Sequence, residues 1–155
     1  MNVRDRLAEL GVELPPAPAP MASYVPVAGG GDVAFVAGQV PLEDGKPMAT
    51  GRVGEDLSVE EAQSLARRCA LQALAALEEE LGSLDRVRRV VKLTVWVACG
   101  ERFTEHPKVA NGASDLLVEV FGENGKHARA AVGAPSLPLG VPVEVEMVVQ
   151  VAESA

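Results

Sequence analysis

Apolar residues recur at every second position in several segments of this chain, which is the spacing of a half-buried β-strand. Two of these segments, Tyr24–Val27 and Val33–Gly38, flank the glycine-rich stretch Gly29–Asp32. Glycine accepts the positive φ angles that tight turns need, so the pattern predicts a β-hairpin. Pro26 lacks a backbone N–H and therefore places the first strand at a sheet edge or at a bulge.

Two longer stretches carry apolar residues at helical spacing. Ser58 and Glu61 form a capping box, which predicts the start of a helix, and Gly82 is suited to its end. The apolar face of this helix is formed by Leu65, Cys69, Leu74, Leu77 and Leu81. On that face Cys69 is predicted to be a core residue rather than a reactive thiol. A second helix is predicted from about Pro107 to Phe121, because proline favours a first-turn position.

Three further strands complete the predicted sheet. The first is a period-two segment in which Val91, Leu93, Val95 and Val97 alternate with Val90, Lys92, Thr94 and Trp96. The last quarter of the chain predicts strands over 128–132 and 141–151, separated by a loop rich in glycine and proline. The order ββ, helix, β, helix, ββ predicts an α+β fold of two layers, with both main helices on one face of a mixed β-sheet.

The opposite face of that sheet has no helix to cover it. Val90, Trp96 and Val148 are assigned to this face, and an apolar sheet face is not expected to remain in water. We therefore expect it to be buried against another copy of the chain.

The N-terminal segment forms a separate predicted unit. Its helically spaced apolar residues are Val3, Leu7 and Leu10. Gly11 follows as a plausible helix end, and the proline-rich run over 14–20 predicts an extended arm. We expect residues 1–20 to form a short helix and arm, and residues 21–155 to form the main domain.

Charge and composition narrow the classes of function. The 155 residues carry a net charge of −8 and are 48% hydrophobic but only 3% aromatic. An acidic surface with few aromatic rings disfavours nucleic acid as a partner. One basic cluster, Arg86–Lys92 near Arg67 and Arg68, is predicted to be a solvated corner rather than an RNA site. The N-terminus lacks the apolar core of a signal peptide, and no membrane span is predicted. Two cysteines do not suggest a disulfide framework, so we expect a cytoplasmic protein.

The last strand carries two carboxylates, Glu144 and Glu146, opposite a uniformly apolar face. Burying them without partners would be costly. They are predicted either to lie in water, or to pair with arginines at a subunit interface, or to form part of a site. Arg129 begins the preceding strand among small side chains, where its rigid fork could bind a ligand carboxylate or pair with Glu144 across neighbouring strands.

Other kinds of site lack candidates in the sequence. His106 and His127 have no further ligands at metal-binding spacing. Nucleophile-elbow, phosphate-loop and dinucleotide motifs are missing as well. We therefore expect neither a metal nor a cofactor.

Taken together, four segments resemble the motifs of the RidA/YjgF family in order and spacing. They are Ser23-Tyr24, Phe35–Pro41, Arg129–Val132 and Leu137–Glu146. The combined V-x-G-Q-x-P and A-R…L-P…V-E-x-E pattern is specific, and the resemblance covers roughly residues 20 to 151.

This resemblance implies a chorismate-mutase-like fold, assembly into a homotrimer, and three clefts between neighbouring subunits. It implies a hydrolase, a deaminase that converts reactive 2-imino and enamino acids to 2-keto acids and ammonia without metal or cofactor. By the same resemblance Arg129 binds the substrate carboxylate and Glu144 positions or activates water. Tyr24 and Gly38 would line the cleft.

The sequence also departs from the family pattern. Ala131 occupies the place of a cysteine in archetypal members, at a position that would touch substrate. Asn111 and Ser114 are both near the place of a helical asparagine. One alternative is a binding protein that holds small carboxylate metabolites in the same clefts without turning them over. Another, the endoribonuclease activity attached to some relatives, is disfavoured by the acidic charge and by the lack of a basic groove.

Overall fold

A five-stranded sheet with two long helices on one face forms most of the protein, and the computed structural model describes residues 1–19 and 22–153. The elements in chain order are α1 (Val3–Glu9), β1 (Val27–Gly30), β2 (Val33–Gln39), β3 (Leu42–Glu43), β4 (Lys46–Pro47), α2 (Val59–Leu81), β5 (Val87–Ala98), α3 (His106–Phe121), β6 (Ala128–Ala134) and β7 (Val143–Val151). The sheet order is β1-β2-β7-β5-β6, with β5–β6 parallel and the other pairs antiparallel. The predicted α+β class, the mixed sheet and the single helical layer are confirmed.

Helix α2 begins and ends where its sequence predicts. The Ser58 side chain accepts from the Glu61 amide while the Glu61 carboxylate accepts from the Ser58 amide. Gly82 ends the helix in the left-handed region with φ of 80°. The buried face includes Cys69, which is 0% exposed, so its predicted place in the core is confirmed.

The bounds of several strands, and one face assignment in β5, differ from the prediction. Strand β6 extends to Ala134 rather than residue 132, and β7 begins at Val143 rather than residue 141. Strand β1 begins at Val27 rather than Tyr24, which leaves only Gly31 and Asp32 in the hairpin turn. In β5, the prediction that Val90 lies on the helix-free face is wrong, since Val90 is 0% exposed and Val91 is 38% exposed. The cause is a register irregularity between Val90 and Lys92 opposite β7, which reverses the alternation N-terminal to it.

The N-terminal helix packs on the main domain. Leu7 is 5% exposed and joins the hydrophobic core. The Arg6 Nε donates to the Glu119 carbonyl at 2.8 Å, and the Val3 amide donates to Asp85 Oδ1 at 2.8 Å. These contacts tie α1 to α3 and to the turn that follows α2. Among the described residues, no helix has the length and apolar character needed to cross a bilayer.

Candidate functional site

The sheet face opposite the helices is uncovered in the single chain. Strand pairing places Phe35, Val148 and Lys92 side by side across this face. Phe35 is 53% exposed, a large apolar surface for a residue in the middle of a sheet. A cavity of about 500 Å³ lies here, with Lys92 and Glu146 among the residues that line it. The face therefore combines exposed apolar area with two opposite charges.

Glu144 lies on this open face, against the backbone of Gly38. A register shift in β2 between Val36 and Gln39 bulges the strand at this point. A Cβ atom added to Gly38 would overlap Glu144 Oε1, so only glycine leaves room for the carboxylate. Burial, with a smaller contribution from the neighbouring Glu146 carboxylate, raises the pKa of Glu144 above its usual value. The structure thus brings together two of the residues proposed from sequence.

We expect Gly38→Ala to damage this site more than the fold. The atom that the new methyl group meets is the end of a flexible side chain, which can rotate away. Misplacing a reacting group by about 1 Å can cost on the order of 100-fold in rate. We expect a roughly tenfold fall in any activity that uses Glu144, with a melting temperature within a few degrees of wild type. A large loss of stability with full specific activity would contradict this prediction.

Arg129 lies on the other side of the sheet, at its edge. It pairs in register with Leu93, which is fully buried beneath the helices, so both side chains point to the helical layer. The Arg129 Nη1 donates to Asn111 Oδ1 at 2.8 Å and to Ser114 Oγ at 3.2 Å. Both partners lie on α3, three residues apart, which places them on one helix face.

A histidine extends this group of side chains. The His127 Nε2 lies 2.9 Å from Ser114 Oγ, and its Nδ1 lies 2.6 Å from the Gly125 carbonyl oxygen. Gly125 packs against the backbone of Leu117 and Val118 in α3, where an added Cβ atom would overlap the Leu117 carbonyl oxygen. The result is a continuous chain of hydrogen bonds from Gly125 to Arg129.

Within one chain the structure keeps Arg129 and Glu144 apart. Strand β5 separates their strands, and the two side chains point to opposite faces of the sheet. The possibility that they pair across neighbouring strands is therefore wrong. Ala131 lies on the same side as Arg129, packed against the core, while Tyr24 is 54% exposed in the segment before β1.

Sequence reasoning missed the partners of the two histidines. The sequence marks these histidines only as possible metal ligands, whereas in the structure His127 contacts Ser114 and His106 lies 3.4 Å from the Cys99 sulfur. Burial is the main cause that raises the pKa of the Cys99 thiol, so this pair is not an activated thiolate. A signal was present in the sequence: His127 lies two residues before Arg129, immediately before the strand that carries it.

Nearly the whole chain matches known proteins. A family profile described as "YjgF/chorismate mutase-like, putative endoribonuclease" matches residues 4–151. Protein TCP17 of Trypanosoma cruzi is 48% identical over 150 residues, which are 96% of this chain and 94% of that protein. The crystal structure of Atu1372 from Agrobacterium tumefaciens is 44% identical with a TM-score of 0.89, and covers 97% of this chain and 93% of that one.

Two further structures show how the fold is shared. A "putative endoribonuclease" from Shewanella oneidensis is 33% identical with a TM-score of 0.92, covering 97% of this chain and all of that one. Escherichia coli TdcF, solved with bound serine, is 21% identical with a TM-score of 0.63 and covers 88% and 94%. Coverage of 97% leaves about five residues of this chain unmatched, so most of residues 1–20 have a counterpart in both Atu1372 and the Shewanella protein. This chain belongs to the YjgF (RidA) family, with the chorismate-mutase-like fold.

Proposed function

We propose that this protein is a cytoplasmic, cofactor-independent deaminase that hydrolyses 2-imino and enamino acids to 2-keto acids and ammonia. The observation that carries the proposal is the environment of Arg129. Neutral side chains hold its guanidinium, and no described carboxylate forms an ion pair with it. A guanidinium that is held in place by neutral partners keeps its positive charge available, and it can bind the carboxylate of a small acid. The free thiols of Cys69 and Cys99 agree with a reducing compartment.

The chemistry requires little beyond binding and one proton carrier. Water adds to the C=N carbon, a proton passes to nitrogen, and the carbinolamine releases ammonia to leave the keto acid. Glu144 would accept the proton from water and return it to the departing amine. A carboxylate of raised pKa is better suited to this task near neutral pH than an ordinary glutamate. Gly38 leaves room for the Glu144 carboxylate, and Tyr24 and Ala131 would line the rest of the cleft.

A site that uses both Arg129 and Glu144 needs two copies of the chain. The two side chains leave opposite faces of one sheet, and Arg129 lies at the sheet edge while Glu144 lies near the apolar open face. We propose a homotrimer in which the open faces pack together and each cleft takes Arg129 from one subunit and Glu144 from the next.

The activity test uses imino acids generated in place by an amino-acid oxidase, with keto-acid release measured against a protein-free mixture. We expect wild-type protein to accelerate release and Glu144→Gln to lower the rate at least tenfold. Because Glu144 acts as the carboxylate, the wild-type rate should rise with pH through its raised pKa, and the Gln variant should lose this acid limb. Release no faster than in the protein-free mixture would refute the deaminase.

Subunit mixing tests the shared cleft. Arg129→Ala and Glu144→Gln protein are each expected to be at least tenfold slower than wild type, but trimers reassembled from both should regain part of the activity. Some clefts in such trimers receive an intact Arg129 and an intact Glu144. Light scattering should give the mass of three chains. A monomer, or no recovery on mixing, would contradict the shared cleft.

A second candidate is a binding protein for small carboxylates in the same clefts. The observation in its favour is the bound serine in TdcF, which shares this fold. It predicts that keto acids raise the free energy of unfolding by RT ln(1 + [L]/Kd), and with it the melting temperature, without turnover of imino acids.

The descriptions of the family and of the Shewanella protein refer to RNA cleavage, an activity that we do not propose for this chain. The net charge of −8 opposes a polyanion. Arg86 and Arg89, from the basic cluster, donate to backbone carbonyls, and Arg67 pairs with Glu119. A nuclease assay at low salt tests this view, and RNA cleavage by the purified protein would contradict it.

A further inference from the structure

Behind Arg129, a chain of hydrogen bonds runs from the Gly125 carbonyl through His127 and Ser114 to the guanidinium, and we call this chain the relay. A carbonyl oxygen can only accept, so the short contact between His127 Nδ1 and the Gly125 oxygen requires the proton on Nδ1. In a neutral imidazole Nε2 is then an acceptor. The Ser114 hydroxyl therefore donates to Nε2, and this leaves its lone pairs free to accept from Arg129 Nη1.

The opposite tautomer would not support this arrangement. With the proton on Nε2, the ring would donate to Ser114, and Nδ1 would face the Gly125 oxygen as a second acceptor at 2.6 Å. Two acceptors at that distance repel each other. The backbone of Gly125 thus selects the tautomer that orients the serine hydroxyl.

The relay also decides which edge of Arg129 meets a ligand. A guanidinium has five N–H groups, and the two on Nη1 are directed to Asn111 and Ser114. The remaining N–H groups, on Nη2 and Nε, form the edge that can hold both oxygens of one carboxylate in parallel. A guanidinium free to rotate would offer its edges in turn and would lose entropy on binding.

We propose that Ser114 and His127 are positioning residues that fix Arg129 with its Nη2/Nε edge turned outward for a carboxylate. This inference rests on the proposed function and deepens it. His127 touches no ligand. It acts through Ser114, and Ser114 acts through Arg129.

Binding of 2-oxobutyrate, measured by calorimetry, tests the relay in the full-length protein. We expect Ser114→Ala and His127→Ala to weaken binding about fivefold each, and Ser114→Thr, which keeps the hydroxyl, to restore it to within about twofold of wild type. In an Arg129→Ala background neither substitution should have a further effect. Ser64→Ala, at an exposed serine of α2, is the matched control and should bind as wild type.

The imidazole nitrogen spectrum of the wild-type protein provides a readout that needs no variant to fold. The chain has only two histidines, so the signals of His127 can be distinguished from those of His106. The Nδ1–H tautomer is expected. The Nε2–H tautomer overturns the inference, as does wild-type affinity in Ser114→Ala.

The two proposals fail differently. If Arg129→Ala binds 2-oxobutyrate as tightly as wild type, or if wild type does not bind it, the carboxylate site itself is refuted. If Arg129→Ala loses binding while both relay variants keep it, only the relay is refuted.

Discussion

Replacing Arg129 by alanine is expected to raise the Kd for 2-oxobutyrate about 100-fold. Hydrogen bonds to a charged group each contribute roughly 1.5–3 kcal/mol, and a factor of 100 corresponds to about 2.7 kcal/mol. The fold should be spared, because Arg129 lies at the sheet edge and its two partners, Asn111 and Ser114, are partly exposed and can turn to water. Calorimetry measures the affinity, and a melting curve checks the fold.

Arg129→Lys separates charge from geometry. Lysine keeps the positive charge but cannot hold both oxygens of a carboxylate on one planar fork, so we expect an intermediate loss of about tenfold. Arg102→Ala, which removes an exposed arginine from the loop before α3, should leave the affinity unchanged. An equal loss in Arg129→Ala and Arg102→Ala, with no loss in Arg129→Lys, would mean that net charge, and not a site, attracts the ligand.

The substitution Gly112→Ala is expected to have the largest effect on stability. Gly112 lies in α3 where that helix contacts α2, and a Cβ atom there would overlap the backbone carbonyl of Gln63. That backbone cannot rotate away, so the two helices must separate. Overpacking of this kind typically costs 1–3 kcal/mol, and the rigid neighbour places Gly112 at or above the upper end. We expect a loss of about 3 kcal/mol and a melting temperature about 10 °C lower.

The direction of the change in stability distinguishes helix packing from helix propensity. Alanine favours a helix over glycine by about 1 kcal/mol, so helix propensity alone would make Gly112→Ala stabilising. Gly30→Ala is the control, because its added methyl group meets nothing within 4 Å and its φ is not positive. A Gly112→Ala protein as stable as wild type would show that the helices can separate at little cost.

Gly112 and Gly38 show why the neighbour decides the result of such a change. An added methyl group would overlap another atom at both positions. At Gly112 the neighbour is main chain within a packed helix pair, so stability is lost. At Gly38 the neighbour is the mobile end of Glu144, so the fold survives and the site is disturbed.

Local patterns in the sequence determined the elements and most of the proposed site. The capping box at Ser58, the glycine at Gly82 and the alternation along β7 depend on interactions within a few residues, so they can be predicted without the rest of the chain. Arg129 and Glu144 were selected by motif resemblance. Each lies in a short segment, and the order and spacing of these segments along the chain match the family pattern.

Only the tertiary structure decided which of these residues meet. The irregularity in β5 moved Val90 into the core, because strand pairing with β7, and not local alternation, sets the face of each residue. Pairing with Leu93 turned Arg129 toward α3, where Asn111 and Ser114 of that helix meet His127 from the segment before β6. The sequence named the charged groups, since composition and motif are local properties. Their partners and their faces depend on contacts between residues distant in the chain, which exist only once the sheet and helices have packed.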